Sequence, residues 1–115
     1  MPNSRQPVVF VDVDDTLVRS FGSKQIANDH VVRAVKGLHA DGAVLYCWSS
    51  GGADYCREVC ERLRIDDLFV AFLPKPDVLV DDLAPDRWRN LAVWHPSELR
   101  GRSPRELLPG FRTSS

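Results

Sequence analysis

The 115-residue chain contains no apolar run approaching membrane-spanning length. Its opening residues, Met-Pro-Asn-Ser-Arg-Gln-Pro, are polar and lead straight into a strand, which argues against a secretory signal. Cysteine is scarce and odd in number, with Cys47, Cys56 and Cys60 alone. That count excludes a disulfide framework and fits reduced thiols in a cytoplasm. There is no internal repeat and no low-complexity tract, which excludes a solenoid or a linker protein. A net charge of −1 gives no global pull towards nucleic acid or membrane. Lysine is rare, three residues against twelve arginines, so any lysine in a constrained position stands out.

What is present fits one domain, residues 1–115, since 43% hydrophobic content at this length supplies one packed core. That core is expected over about residues 7–95, with 96–115 irregular and basic. From Arg87 onward there are six Arg against two Glu. Asp12, Asp14, Asp15, Asp81 and Asp82 make up five of the sixteen acids and fall in two short runs.

The first of these runs organises the chain. Residues 7–12 form a continuous β-rich apolar stretch, the pattern of a buried parallel strand, and it ends in Asp12-Val13-Asp14-Asp15. Ligands in open α/β sheets bind at the carboxyl ends of strands, which places Asp12 and Asp14 at a working edge. A carboxylate cluster there needs a partner, and a hard cation such as Mg²⁺ is the simplest.

Residues 17–28 have no clear period and are expected to form a loop or small hairpin over that edge. Asn28 or Asp29 is a suitable N-cap for a helix running to about Ala40, with Val31, Val35 and Leu38 on one face. Asp41-Gly42 ends it. A central strand over 43–48 and a helix over 53–64 follow, the latter with Ala53, Cys56, Cys60 and Leu63 inward. Further strands are expected at 68–72, 78–80 and 91–94, a short helix over 85–90, and a helical turn near 103–108. Residues 1–6 and the last few are expected to be disordered. The alternation predicts an α/β domain with a mostly parallel sheet.

Three more stretches carry chemistry. Ser49, Ser50, Gly51 and Gly52 between strand and helix outline a phosphate cradle, although Ser49 or Ser50 could simply cap the helix. Lys75 lies between Pro74 and Pro76, so its backbone is held on both sides; a solvated loop lysine is the alternative. Val78-Leu79-Val80-Asp81-Asp82 repeats the apolar-then-acidic logic of the first run. Cys56 and Cys60 share a helix face and read as small buried residues in preference to a metal pair.

Taken in order, Asp12-x-Asp14-x-Thr16-Leu17, the strand-terminal Ser49, Lys75 and Asp81-Asp82 resemble motifs I to IV of the haloacid dehalogenase (HAD) superfamily, over about residues 8–94. The resemblance is especially close to its small cap-less phosphatases. It implies a Rossmann-like three-layer α/β/α sandwich with a mostly parallel five-stranded sheet and no cap domain. It also implies a Mg²⁺-dependent phosphatase with Asp12 as nucleophile and Asp14 as acid–base. Lys75, Ser49, Ser50 and Gly51 would hold phosphate, and Thr16 would be in support. Asp12, Asp14 (through its carbonyl) and Asp82 would hold the metal, and Asp81 would pair with Lys75.

Two departures from the family pattern are visible. Asp15 stands where Gly is frequent, and there is no room for a helix between the third and fourth strands. Without a cap, the substrate is either a large phosphorylated molecule or one enclosed by a neighbouring subunit of a homo-oligomer.

A receiver domain carries similar residues but in another order: here the lysine precedes the second acidic pair, and the third strand ends without Asp. A non-catalytic phosphate- or nucleic-acid-binding module on the same scaffold would draw on the basic segment, Trp88 and Trp94. His30, His39 and His95 receive no role, although His95, near a strand end, could reach the site.

Overall fold

The computed structural model describes residues 5–111. Its elements in chain order are β1 (Val8–Asp12), β2 (Val18–Phe21), β3 (Lys24–Ala27), α1 (Asp29–Ala40), β4 (Val44–Ser49), α2 (Ala53–Arg62), β5 (Phe69–Pro74) and α3 (Pro104–Leu107). Single 3₁₀ turns lie at Asp66–Leu68, Pro85–Arg87 and Pro96–Leu99. The result is a small α/β domain.

Three strands pair in parallel in the order β1-β4-β5, so β4 is central, as its unbroken apolar run predicts. β1 and β4 run in register from Val8↔Val44 to Asp12↔Trp48. The β4–β5 ladder slips between Leu45 and Tyr46, leaving Val70 bulged outward and exposed. β2 and β3 form a separate antiparallel hairpin, turned at Gly22, whose φ of 62° suits a residue without a Cβ.

β4 buries Leu45, Cys47 and Ser49 on one face. Onto that face pack Val31, Val35 and Leu38 of α1 and Cys56, Val59 and Cys60 of α2. Both β–α–β steps move along the sheet in one direction, so right-handed crossovers put both helices on the same side. α1 stops at Asp41, and Gly42 turns the chain at φ 94°. Asn28 occupies the N-cap position but caps nothing with its side chain; its Nδ2 donates to the Thr16 carbonyl at 3.0 Å. The start of α1 is thereby tied to the acidic turn.

The expected five-stranded sheet is not formed. Residues 78–80 and 91–94 are not strands, and no side chain between 76 and 93 is buried: Val80 is 94% and Val93 82% exposed. A parallel strand after β5 would need a crossover of about a dozen residues to return to the start of the sheet. Only Lys75-Pro76-Asp77 separate Pro74 from Val78. The short connection that rules out a crossover helix also rules out a parallel fourth strand, and residues 91–94 pair with no strand among the described residues.

What stands is an α/β arrangement of three parallel strands, an antiparallel hairpin and three helices, consistent with a generic Rossmann-like sandwich. The opposite sheet face carries Phe10, which is 44% exposed, in ring contact with Tyr46 and Trp48, and it remains partly open. The expected helix over 85–90 is a single 3₁₀ turn.

The C-terminal segment does more than its irregularity suggests. Leu107 and Leu108 join the core, and the Trp94 indole N–H donates to the Leu107 carbonyl at 3.1 Å. The expected end disorder falls largely outside the described residues.

Leu45 is fully buried on the central strand. Leu45→Ala is expected to cost about 2–5 kcal/mol of stability, read as a lower urea midpoint with an unchanged slope.

Candidate active site

The acidic turn is anchored by its apolar residues. Val13 and Leu17 are fully buried, while Asp14 and Asp15 between them are exposed. The Val13 carbonyl accepts from the N–H groups of Thr16, Leu17 and Val18, closing a tight turn directly after β1. Asp15 adopts φ 58°, the left-handed region that glycine takes freely and Asp tolerates better than most residues. The aspartate standing where the motif often has glycine therefore keeps a glycine-like backbone shape and adds a carboxylate.

Asp12 closes β1 with its side chain 31% exposed. Lys75 Nζ lies 3.1 Å from its Oδ1, and the Thr16 hydroxyl donates to its Oδ2 at 3.1 Å. Lys75 is positioned from its backbone upward. Its N–H donates to the Ser49 carbonyl at 2.9 Å, and its ammonium sits 6.0 Å from the Trp48 ring centroid. The lysine is thus fixed between two prolines and the end of β4.

The Ser49 loop is built differently from a hydroxyl aimed at a ligand. Ser49 is 1% exposed, and its Oγ accepts from the Gly51 N–H at 3.0 Å. The residue in the N-cap position of α2 is Gly52, at φ 99°, so Ser49 shapes the loop and does not cap the helix. Ser50 and Gly51 are exposed.

Asp14 receives a partner that the sequence reading did not single out. The Tyr55 hydroxyl donates to Asp14 Oδ1 at 2.6 Å. That hydroxyl accepts from Gln25 Nε2 at 2.7 Å, and Gln25 Oε1 accepts from Arg62 at 2.6 Å. Burial, and then the bond to Asp14, push the Tyr55 phenol above its ordinary range. The signal available in the sequence was weak: Tyr55 lies two turns before Arg62 on α2, and Gln25 lies on a hairpin with no readable pattern.

The second acidic run is not gathered here. Asp81 and Asp82 are exposed, and Asp81 Oδ1 accepts from the Leu83 N–H at 3.0 Å, a local turn. Lys75 pairs with Asp12, not with Asp81. Among the described residues, no three His, Cys, Asp or Glu side chains converge in metal-holding geometry. The set Asp12, Asp14 and Asp82 is therefore not assembled.

Mg²⁺ does not require it. This ion keeps several waters and takes one or two protein carboxylates together with phosphate oxygens. The Asp12 carboxylate and the Asp14 backbone carbonyl, hard donors at an open edge, suit that demand.

Facing the turn is a cleft of about 490 Å³, lined by Asp12, Asp14, Asp15 and Thr16 from the turn and by Val93 to Pro96 and Glu98 from the C-terminal segment. His95 thus shares the cleft with the carboxylates. Its Nδ1 accepts from the Ser97 N–H, which leaves the proton of the neutral ring on Nε2. A second cleft of about 340 Å³, between α1 and the C-terminal segment, includes His30, Arg33, Arg100 and Arg102, and none of the four motif stretches lines it.

The thiols take no part in the site. All three are free and buried, with Cys60 Sγ 3.8 Å from Cys47 Sγ. The Cys60 contact and burial push the Cys47 thiol far up, and burial pushes up Cys56, so both stay protonated and unreactive.

No family model, no curated protein and no solved structure matches the chain. Among the described residues, no helix is long and apolar enough to cross a membrane.

Proposed function

We propose that the chain is a Mg²⁺-dependent phosphomonoester hydrolase of the cap-less HAD type, working through an aspartyl-phosphate on Asp12. One observation carries the reading: a partly exposed carboxylate at a strand's carboxyl end, held by Lys75 and Thr16, with a second carboxylate lining the same open cleft.

In this reading Asp12 attacks phosphorus, and the bond to the leaving oxygen breaks as Asp14 gives that oxygen its proton. Water then attacks the same phosphorus, passes its proton to Asp14, and the Asp12–phosphorus bond opens to release phosphate. Lys75 neutralises charge on the nucleophile and on the transferring group. Thr16 holds the second Asp12 oxygen and so fixes the angle of attack. Mg²⁺, held by the Asp12 carboxylate and the Asp14 backbone carbonyl, would supply further charge neutralisation at the phosphoryl oxygens. The open cleft suits a phosphate carried on a large molecule, and a neighbouring subunit covering it is the other arrangement the missing cap allows.

The test is hydrolysis of p-nitrophenyl phosphate by wild type with Mg²⁺ and with EDTA. Turnover that disappears in EDTA and returns with excess Mg²⁺ is expected; turnover indifferent to EDTA would overturn the metal, and no turnover of this or any phosphomonoester in a panel would overturn the reading. Metal binding is read separately by thermal shift. Asp12→Asn is expected to abolish the Mg²⁺-induced rise in Tm, and Asp82→Ala to leave it nearly unchanged. A loss in Asp82→Ala equal to that in Asp12→Asn would assign Asp82 as the third ligand.

A further inference from the structure

Resting on the phosphatase reading above, we propose that Tyr55 is the positioning residue for Asp14, fixing which carboxyl oxygen exchanges a proton with the substrate. The four side chains form a chain with one consistent polarity. Arg62 donates to the Gln25 carbonyl oxygen, the Gln25 amide donates to the Tyr55 hydroxyl, and the hydroxyl has its only proton left for Asp14. Each link leaves the next group one role, so the chain cannot be reversed without breaking the Arg62 bond, because Arg has no acceptor. It draws on α2 and on the β2–β3 hairpin, and together they grip the exposed acidic turn.

The consequence for Asp14 is specific. Oδ1 accepts from Tyr55, and Oδ2 has no partner among the described residues. The catalytic proton is therefore carried on Oδ2. In the first step it passes from Oδ2 to the leaving oxygen as the phosphorus–oxygen bond breaks, and in the second step Oδ2 takes it back from water. Tyr55 keeps its own proton throughout and donates to Oδ1 in both states. Unheld, an exposed carboxylate would rotate and present either oxygen.

Tyr55 also touches the other side of the site. A Cβ on Gly51 would lie 2.8 Å from Tyr55 Cδ2, so the ring packs against the Gly51 backbone. The need for glycine in the loop after β4 is thus to admit this ring. The Ser49 loop and the acidic turn are locked to each other through one side chain.

The test compares two substrates. An alkyl phosphate leaves as a poor alkoxide and needs the proton from Asp14; p-nitrophenolate leaves unaided. Tyr55→Phe is expected to slow the first step, read as the pre-steady-state burst of released alcohol, about 10- to 100-fold on the alkyl phosphate, the range for a hydrogen bond to a charged group. It should slow the burst of nitrophenol from p-nitrophenyl phosphate far less and leave the affinity for inorganic phosphate nearly unchanged. Gly51→Ala, which pushes the ring aside, should give the same selective loss, and the double variant should be no worse than either single one.

Equal losses of burst rate on both substrates, or additive losses in the double variant, would overturn the proposal and leave Tyr55 a packing residue. Gln25→Leu, milder for the fold, should reproduce the selectivity in smaller measure. Wild type inactive on all phosphomonoesters would instead sink the phosphatase reading. The contact is then judged by amide hydrogen exchange over residues 18–27: faster exchange in Tyr55→Phe supports the link, and unchanged exchange refutes it.

Discussion

Asp12→Asn is expected to eliminate phosphomonoester hydrolysis, by on the order of 10³-fold or more, as removal of a covalent nucleophile does elsewhere. The amide keeps the size of the side chain and can still accept from the Thr16 hydroxyl, so the turn after β1 keeps its shape. What it loses is charge. An amide oxygen is a far poorer nucleophile towards phosphorus, and Lys75 is left without its anion. That ion pair is 31% and 37% exposed on its two sides, so its loss should cost stability no more than about 1 kcal/mol. A urea midpoint close to wild type, alongside absent turnover, is the expected pair of results. Retained turnover would remove Asp12 from the chemistry.

Asp14→Ala tests the other carboxylate and separates binding from turnover. General acid–base help of this kind is worth about 10²–10⁴ in rate, so kcat should fall by that order. Phosphate affinity should change much less, because Lys75 still holds its place on the Ser49 carbonyl and beside Asp12. The first step, read as the burst of leaving group, should also be slowed more for alkyl than for nitrophenyl phosphates. Should kcat and phosphate affinity fall equally, Asp14 acts as a binding group and not as a proton carrier.

The parts of the fold that were legible in the sequence are those set by local pattern. β1, α1, β4 and α2 follow from unbroken apolar runs, from the Val31–Val35–Leu38 spacing and from the Asp41-Gly42 stop. Residues 17–28, expected as a loop or small hairpin, form a hairpin. The misread part is 78–94, where apolar composition alone suggested strands. A parallel strand also needs a crossover long enough to return to the start of the sheet, and the three residues after Pro74 do not supply one. Composition likewise hid the contribution of Leu107 and Leu108, because prolines and arginines around them read as an irregular tail.

At the candidate site, Asp12, Thr16 and Lys75 could be placed from the sequence because each sits at or beside a strand end. Asp15 stood out in the sequence only as a departure from the motif; that its backbone still turns left-handed, as glycine would, is visible in the structure alone. Tyr55, Gln25 and Arg62 were not legible, since their meeting depends on how the hairpin lies against α2. The same holds for His95, brought to the cleft that Asp14 lines by a segment that forms no strand. The inward turn of the Ser49 hydroxyl depends on the Gly51 N–H, a matter of loop conformation that residue types do not fix.

The most direct test of the central claim is to look for the covalent intermediate. Asp14→Ala, supplied with Mg²⁺ and a nitrophenyl ester bearing a labelled phosphoryl group, should still undergo attack but hydrolyse the product slowly. Acid quench followed by peptide mapping should then find a hydroxylamine-sensitive acyl phosphate on Asp12. Label on any other residue, or phosphate released at the wild-type rate with no labelled protein, would contradict the account.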